Sequence, residues 1–279
     1  MKVVAVTGGA GGIGRAIATA FADAGFSVAI GDLDEAAASN VAAEIASKKS
    51  GETSIIGMHL DVTKRGSYEQ FFEKVESNLG KITHIVLSAG VMWVGPFDEE
   101  SDQALEMQLG VNLVGVINGI KTGASRITAK GRIITIASAA SFIAPPGEAT
   151  YAATKHGVLG YLKAAREELR GKKGRSKIGI TAIMPGVVDT KLAAGTASGA
   201  AKLLTPDEVA KVVLREATRK RPKFEVTIPG FIGPLNRFVS ILPASIRDFM
   251  FRQMVPNQVK NKDSDARSAY ESVFNSKGN

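Results

Sequence analysis

Tyr151 and Lys155 stand four residues apart, thirteen residues after Ser138. In a helix that spacing puts the tyrosine and the lysine on one face. A phenol is a poor acid or base at its ordinary pKa near 10, so a tyrosine that moves protons needs a stabilised phenolate. A lysine charge at about 4 Å supplies about 4 kcal/mol at an effective dielectric of 20, or about three pKa units. The expectation is that Lys155 draws Tyr151 towards neutrality while Ser138 holds the oxygen on which Tyr151 acts. Singly these are a strand-end serine, a half-buried helix tyrosine and a surface lysine, and the Tyr-x-x-x-Lys spacing acquires meaning only from its surroundings.

The surroundings begin at residues 3–7, a short apolar run ended by Gly8-Gly9-Ala10-Gly11-Gly12-Ile13-Gly14, after which Ile13, Ile17, Ala20 and Phe21 recur at helical spacing. This reads as strand, tight turn and helix. Gly8, Gly12 and Gly14 let backbone approach a pyrophosphate, and the helix N-terminus, with Ile13 in its first turn, offers free N–H groups and the positive end of its dipole. The spacing is Gly-x-x-x-Gly-x-Gly rather than the more general Gly-x-Gly-x-x-Gly. A second run, residues 27–31, ends at Asp32, where a carboxylate suits ribose hydroxyls and repels a 2′-phosphate. That favours NAD over NADP, and no basic neighbour reverses the preference. Helix capping is the competing role for Asp32 and more so for Asp34, while Arg15 is expected in a surface pair. Asp61 follows a third run, residues 54–60, and either accepts from an adenine amino group, with Val62 against the ring, or caps a helix.

Residues 131–138 form a buried strand carrying Ser138 at its carboxyl end, where open α/β sheets place their ligands. The helix expected over 151–169 then presents Tyr151 and Lys155. The implied reaction is hydride transfer between a nicotinamide and a carbinol carbon, with Tyr151 exchanging the hydroxyl proton and Lys155 also binding ribose hydroxyls. Asn112 is a poor helix former inside an apolar helical stretch, suited to holding a kink and a relay water or to capping. Pro185-Gly186 turns the chain after a strand over 178–184, and the Val188 backbone with the Thr190 hydroxyl suits a carboxamide.

On these residues the chain resembles the short-chain dehydrogenase/reductase family from Val3 to about Pro229. The resemblance implies a Rossmann-type, doubly wound α/β fold with about seven parallel strands in a single domain, a catalytic set of Ser138, Tyr151, Lys155 and Asn112, and a homodimer or homotetramer. The segment Leu87-Ser88-Ala89-Gly90 departs from the family's usual Asn-Asn-Ala-Gly. Ser88 supplies fewer hydrogen bonds than asparagine to the central sheet, while Ala89 and Gly90 still admit an adenine ribose.

Alternating strand-like and helix-like segments independently require a parallel sheet, and 279 residues with 44% hydrophobic content suffice for one core. With no Cys there is no disulfide or thiolate metal site. Three scattered histidines, His59, His84 and His156, make no metal cluster, and His156 reads as structural. A first strand at Val3 leaves no room for a signal peptide and no apolar run reaches a membrane span of about 18 residues, so a cytoplasmic protein is expected.

Charge is uneven: 13 of the 35 Lys and Arg, but only 6 of the 27 Asp and Glu, fall in residues 211–279. The expected division is 1–230 for dinucleotide binding and catalysis, and 231–279 as a basic amphipathic extension. Residues 231–254 interleave arginines with apolar side chains at helical spacing, fitting a pocket flap, a subunit contact or the surface of an anionic membrane. Nucleic acid is not expected, since no aromatic-basic motif is present. Ser245 and Asp248 suggest a capping box, as do Thr205 and Glu208 around Pro206, and the polar tail from Asn257 has the composition of a disordered segment. Residues 189–204, rich in small side chains, read as a lid. Val91, Met92, Trp93, Phe142 and Ile143 near the site point to a hydrophobic alcohol or ketone. The alternative is a non-catalytic dinucleotide sensor docking a partner through its basic C-terminal region.

Overall fold

Seven short, mostly branched apolar runs form the strands β1 (Val3–Thr7), β2 (Ser27–Asp32), β3 (Ile55–His59), β4 (His84–Leu87), β5 (Arg132–Ile136), β6 (Gly179–Pro185) and β7 (Glu225–Ile228). The computed structural model describes residues 2–49, 53–198 and 202–275. All strand pairs are parallel, in the order β3-β2-β1-β4-β5-β6-β7. Parallel neighbours cannot be joined by tight hairpins and need crossovers. Helices α1 (Gly12–Asp23), α2 (Glu35–Ser47), α3 (Arg65–Leu79), α4 (Asp102–Gln108), α5 (Gly115–Arg126), α6 (Ala149–Gly171) and α7 (Pro206–Thr218) lie between them.

Successive strand residues face opposite sides of a sheet, and β1 shows this directly. Val3 and Ala5 enter one core with Tyr68, Phe72, Val116 and Leu162, whereas Val4 and Val6 enter the other with Ile17, Phe21 and Val213. Helices α3, α5 and α6 therefore cover one face, and α1, α2 and α7 the other. This is the doubly wound α/β domain expected from the alternation. The strand order reverses between β1 and β4, and a crevice opens at the carboxyl ends there.

Local signals set several boundaries. Thr205 and Glu208 form the reciprocal capping box of α7, with Pro206 in its first turn, and Asp34 caps α2 by accepting from Ala37 N. Arg15 pairs with Glu44 at 2.6 Å on the surface. Two expectations fail. Ser245 and Asp248 form no capping box, because α9 (Ala244–Met254) starts two residues earlier, on Pro243 as its N-cap with no side-chain cap. The described residues after Asn257 are folded rather than disordered: α10 (Gln258–Asn261) and α11 (Ser264–Asn275) follow α8 (Ile232–Ser240) and α9, and Arg267 in α11 is 0% exposed. The polar composition misleads because those polar groups are used on backbone carbonyls of the body. No helix among the described residues is long and apolar enough to cross a membrane.

Candidate active site

The glycine turn after β1 fits backbone too closely for larger residues. A Cβ on Gly14 would lie 2.1 Å from Gly8 O, and one on Gly8, whose φ is +65°, would lie 2.7 Å from the Ala89 Cα. Gly11 precedes α1 with no side chain capping the helix, so the first N–H groups of α1, from Gly12, Ile13 and Gly14, are available to an anion. Thr190 stands over the turn, its Cγ2 3.3 Å from where a Gly12 Cβ would be.

At the end of β2, Asp32 accepts from Ala10 N at 3.0 Å and from Asp34 N at 3.3 Å. It caps no helix and lines the crevice, whereas Asp34 does the capping. Asp61 accepts from the amide and hydroxyl of Thr63, at 3.0 and 2.6 Å, and pairs with Lys64 at 3.1 Å. Burial pushes its carboxyl up, but the bonds from Thr63 and Lys64 together outweigh this and hold it below its ordinary value. Val62 lies beside it on the crevice wall. At the departure from the usual asparagine pattern, the buried Thr7 hydroxyl receives the amides of Ser88 and Ala89 at 3.1 and 3.2 Å. The Thr7 side chain thus ties β1 to the backbone at the end of β4 without using the side chain at position 88.

Asn112, 0% exposed, sits in a single π-helical turn, Leu109–Val114, between α4 and α5. Its amide clamps the Val91 backbone, accepting from Val91 N at 2.9 Å and donating to Val91 O at 2.8 Å, and donates to Thr154 Oγ1 at 3.3 Å. The kink expected here takes the form of a π-bulge, a distortion frequent at functional sites. A Cβ on Gly90 would lie 3.4 Å from Asn112 Oδ1 and 3.9 Å from Lys155 Nζ, so the two side chains converge there.

Tyr151 and Lys155 are both buried on α6, and Lys155 Nζ lies 5.4 Å from the Tyr151 ring centroid. Nζ donates to Ile136 O at the end of β5 at 3.2 Å. Burial pulls the ammonium down to about 8. Ser138 follows β5 and caps a short 3-10 turn by accepting from Ala140 N. The expected fall of the Tyr151 pKa does not occur in this arrangement. Burial pushes the phenol above its ordinary value, a hydrogen bond with Ser138 opposes this, and the carboxyl of Glu148 and the phenol of Tyr270 add to the rise. The ammonium is directed at a carbonyl rather than at the phenol oxygen.

The Pro185–Thr190 turn is anchored by Gly186 N donating to Ile228 O at 2.8 Å and by a bridge between Val188 and Leu204. Ser138, Tyr151, Lys155, Gly90, Val188 and Thr190 line one cavity of about 1280 Å³ with the glycine turn and Asp32. Met92, Val91 and Ile143 line it as expected; Trp93 and Phe142 do not, Phe142 instead facing a smaller cleft beside His156. Residues 199–201 of the expected lid lie outside the described residues.

Four residues escaped sequence reasoning. Gln258 brackets Ala197 with bonds of 2.8 and 2.9 Å, and its own amide donates to Pro146 O. Arg267 donates to the carbonyls of Leu192, Ala194 and Met92, and Tyr270 Oη accepts from Met92 N at 3.2 Å. Glu148, 7% exposed, lines the cavity. Its place three residues before Tyr151 was the one available signal; for α10 and α11 there was none, since their roles arise only when the chain folds back.

The short chain dehydrogenase family matches residues 2–200, and the chain belongs to that family of oxidoreductases. It is 30% identical over 268 residues to the probable oxidoreductase EphD of Mycobacterium tuberculosis, covering 88% of this chain but spanning only 44% of that protein. It is 34% identical over 195 residues to 2,5-dichloro-2,5-cyclohexadiene-1,4-diol dehydrogenase LinX of Sphingobium indicum, covering 69% of this chain and 75% of that one. An alcohol dehydrogenase from Thermococcus sibiricus, solved with 5-hydroxy-NADP, superposes with a TM-score of 0.72 at 27% identity, over 81% of this chain and 95% of that one.

Proposed function

We propose that the protein is a nicotinamide-dinucleotide-dependent oxidoreductase, NAD(H) preferred, that interconverts a hydrophobic alcohol and its carbonyl. The observation that carries this is the convergence of Ser138, Tyr151 and Lys155 in one cavity with an open helix N-terminus and a strand-end carboxylate. The glycine turn, whose Gly8 and Gly14 exclude a Cβ, fits a pyrophosphate. Asp32 would accept from ribose hydroxyls, Asp61 and Val62 would hold the adenine and Ala89 and Gly90 its ribose, and Pro185, Gly186, Val188 and Thr190 would hold the carboxamide. When bound, the dinucleotide supplies or accepts the hydride.

The protein's own residues handle the proton. Ser138 Oγ holds the substrate oxygen, and Tyr151 Oη takes the hydroxyl proton in oxidation or returns it to the carbonyl in reduction. Lys155, charged below its pKa of about 8, binds ribose hydroxyls, and it would stabilise the phenolate once Nζ turns from Ile136 O towards Tyr151. Asn112 holds Val91 and Thr154, and so fixes the backbone beside the reacting groups. Met92 and Ile143 on the cavity wall, and the inner sides of α8 and α9, favour an apolar substrate and exclude water.

We further infer a peripheral contact of residues 231–254 with anionic membrane surfaces. Phe231 and Met254 line the cavity yet are exposed, as are Phe238 on α8, Phe249 on α9 and Ile241 in the turn between them, on a segment that also carries Arg237, Arg247 and Arg252. Self-association through this surface into a dimer or tetramer is the competing reading.

The first test titrates the purified protein with NADH and NADPH in parallel by fluorescence, then offers hydrophobic alcohols with the oxidised form of the dinucleotide that binds. Tight NADH binding with turnover is expected. Binding without turnover of any alcohol favours the sensor reading, and preference for NADPH overturns the role given to Asp32.

A further inference from the structure

The mechanism leaves one buried ionisable group of the cavity unused. Glu148 stands just before α6, one turn ahead of Tyr151, and its side chain is among the few charged ones that are buried. Among the described residues its carboxyl makes no hydrogen bond: only its backbone is engaged, its N donating to Pro145 O and its O accepting from Ala152 N. A buried carboxyl without hydrogen-bond partners is costly and calls for a partner.

The nearest cation does not satisfy it. Arg267 attracts Glu148 electrostatically, but its guanidinium is committed elsewhere. Nε donates to Glu271, Nη1 to Leu192 O and Ala194 O, and Nη2 to Met92 O. The arginine thus anchors backbone that lines the cavity and makes no hydrogen bond to the carboxyl, which belongs to a residue of the same cavity wall. Met92, Ile143, Pro145, Leu192, Ser138 and Tyr151 line the same cavity as Glu148.

We propose that Glu148 is a specificity-determining subsite that binds a second oxygen function, a hydroxyl or carbonyl, on an otherwise apolar substrate held at Tyr151. This rests on the oxidoreductase reading and adds the substrate class. Burial pushes Glu148 up to about 7, with Arg267 opposing. Near neutrality the carboxyl therefore serves both partners, accepting from a hydroxyl when ionised and donating to a carbonyl when protonated. A diol or hydroxyketone has both oxygens the site requires, one for Ser138 and Tyr151 and one for Glu148.

The test compares cyclohexanol with its vicinal and para diols, in turnover and in calorimetric titration of the NADH-saturated protein, where no oxidation occurs. Wild type, Glu148→Gln and Glu148→Leu are measured side by side. Wild type is expected to favour at least one diol over cyclohexanol by about tenfold or more. The ratio should fall to near one in Glu148→Leu and remain intermediate in Glu148→Gln, whose shape is retained. Equal affinities in wild type, absent diol binding, a ratio that survives in Glu148→Leu, or equal weakening of all three compounds overturns the subsite. If no compound is oxidised with either dinucleotide but the binding ratio still depends on Glu148, the subsite stands and the oxidoreductase reading falls. Should the protein not bind NADH, the same titrations without dinucleotide decide the subsite.

Discussion

At Tyr151 burial and hydrogen bonding act in opposite directions. Burial holds the proton on the phenol and Ser138 loosens it, while Lys155 lends its charge only below a pKa of about 8. Removing Oη while keeping the ring isolates the proton transfer. Tyr151→Phe should lower turnover by about a hundredfold to ten-thousandfold with dinucleotide affinity nearly kept, read by initial rates and fluorescence titration; unchanged turnover would sink the mechanism. Asp32→Ala should weaken NAD binding about tenfold and narrow its advantage over NADP, because the carboxylate that repels a 2′-phosphate is gone. Parallel titrations measure both. Asp32 also accepts from Ala10 N at 3.0 Å, so part of the loss would reflect a loosened glycine turn.

Among the elements, β4 carries a pH liability. His84 is buried against Phe21 and Phe26, with Nδ1 2.8 Å from Thr83 Oγ1 and Nε2 3.3 Å from Ala217 O. Burial lowers it to about 4 from an ordinary 6.5. Between those values the unfolded chain binds the proton and the native protein does not, so stability falls as pH drops through that window, by up to about 3 kcal/mol. Glu148, raised to about 7, acts in the opposite sense over part of the same range, so the difference between wild type and a variant is the useful quantity. In urea melts, the stability deficit of His84→Gln should shrink by about 2–3 kcal/mol between pH 7 and about pH 4.5. A constant deficit would mean that His84 titrates normally. The π-turn over Leu109–Val114 shows how much sequence reveals at this scale. A poor helix former at Asn112 marked the irregularity, but its form follows from the clamp on Val91, which lies 21 residues away along the chain.

For the molecule as a whole, the excess of basic over acidic residues beyond position 210 combines with apolar side chains that the fold leaves outside: Ile241 is 79% exposed and Phe249 63%. Cosedimentation with anionic vesicles should be strong at low salt, weaken as salt screens the arginines, and fall several-fold in the double variant Phe238→Ser, Phe249→Ser. Neutral vesicles should bind poorly. No binding at low salt rejects the membrane contact, and dilution-dependent dimerisation lost in the same variant would assign the surface to a second copy.

What the sequence determined by itself was whatever is local. Apolar runs specified five of the seven strands, glycines the turn after β1, Thr205 and Glu208 the start of α7, and the spacing of Tyr151 and Lys155 a shared helix face. The seven parallel strands then matched what the family resemblance implied, because parallel strands joined by helices leave few alternatives. Tertiary structure alone decided the fate of the C-terminal segment and the electrostatics of the site. Arg267 has a polar neighbourhood in sequence and is wholly buried in the fold, since its partners are carbonyls at Met92, Leu192 and Ala194. The Tyr151 shift likewise reversed the expected direction, because desolvation depends on everything packed around the phenol, whereas spacing reports only the neighbour four residues away.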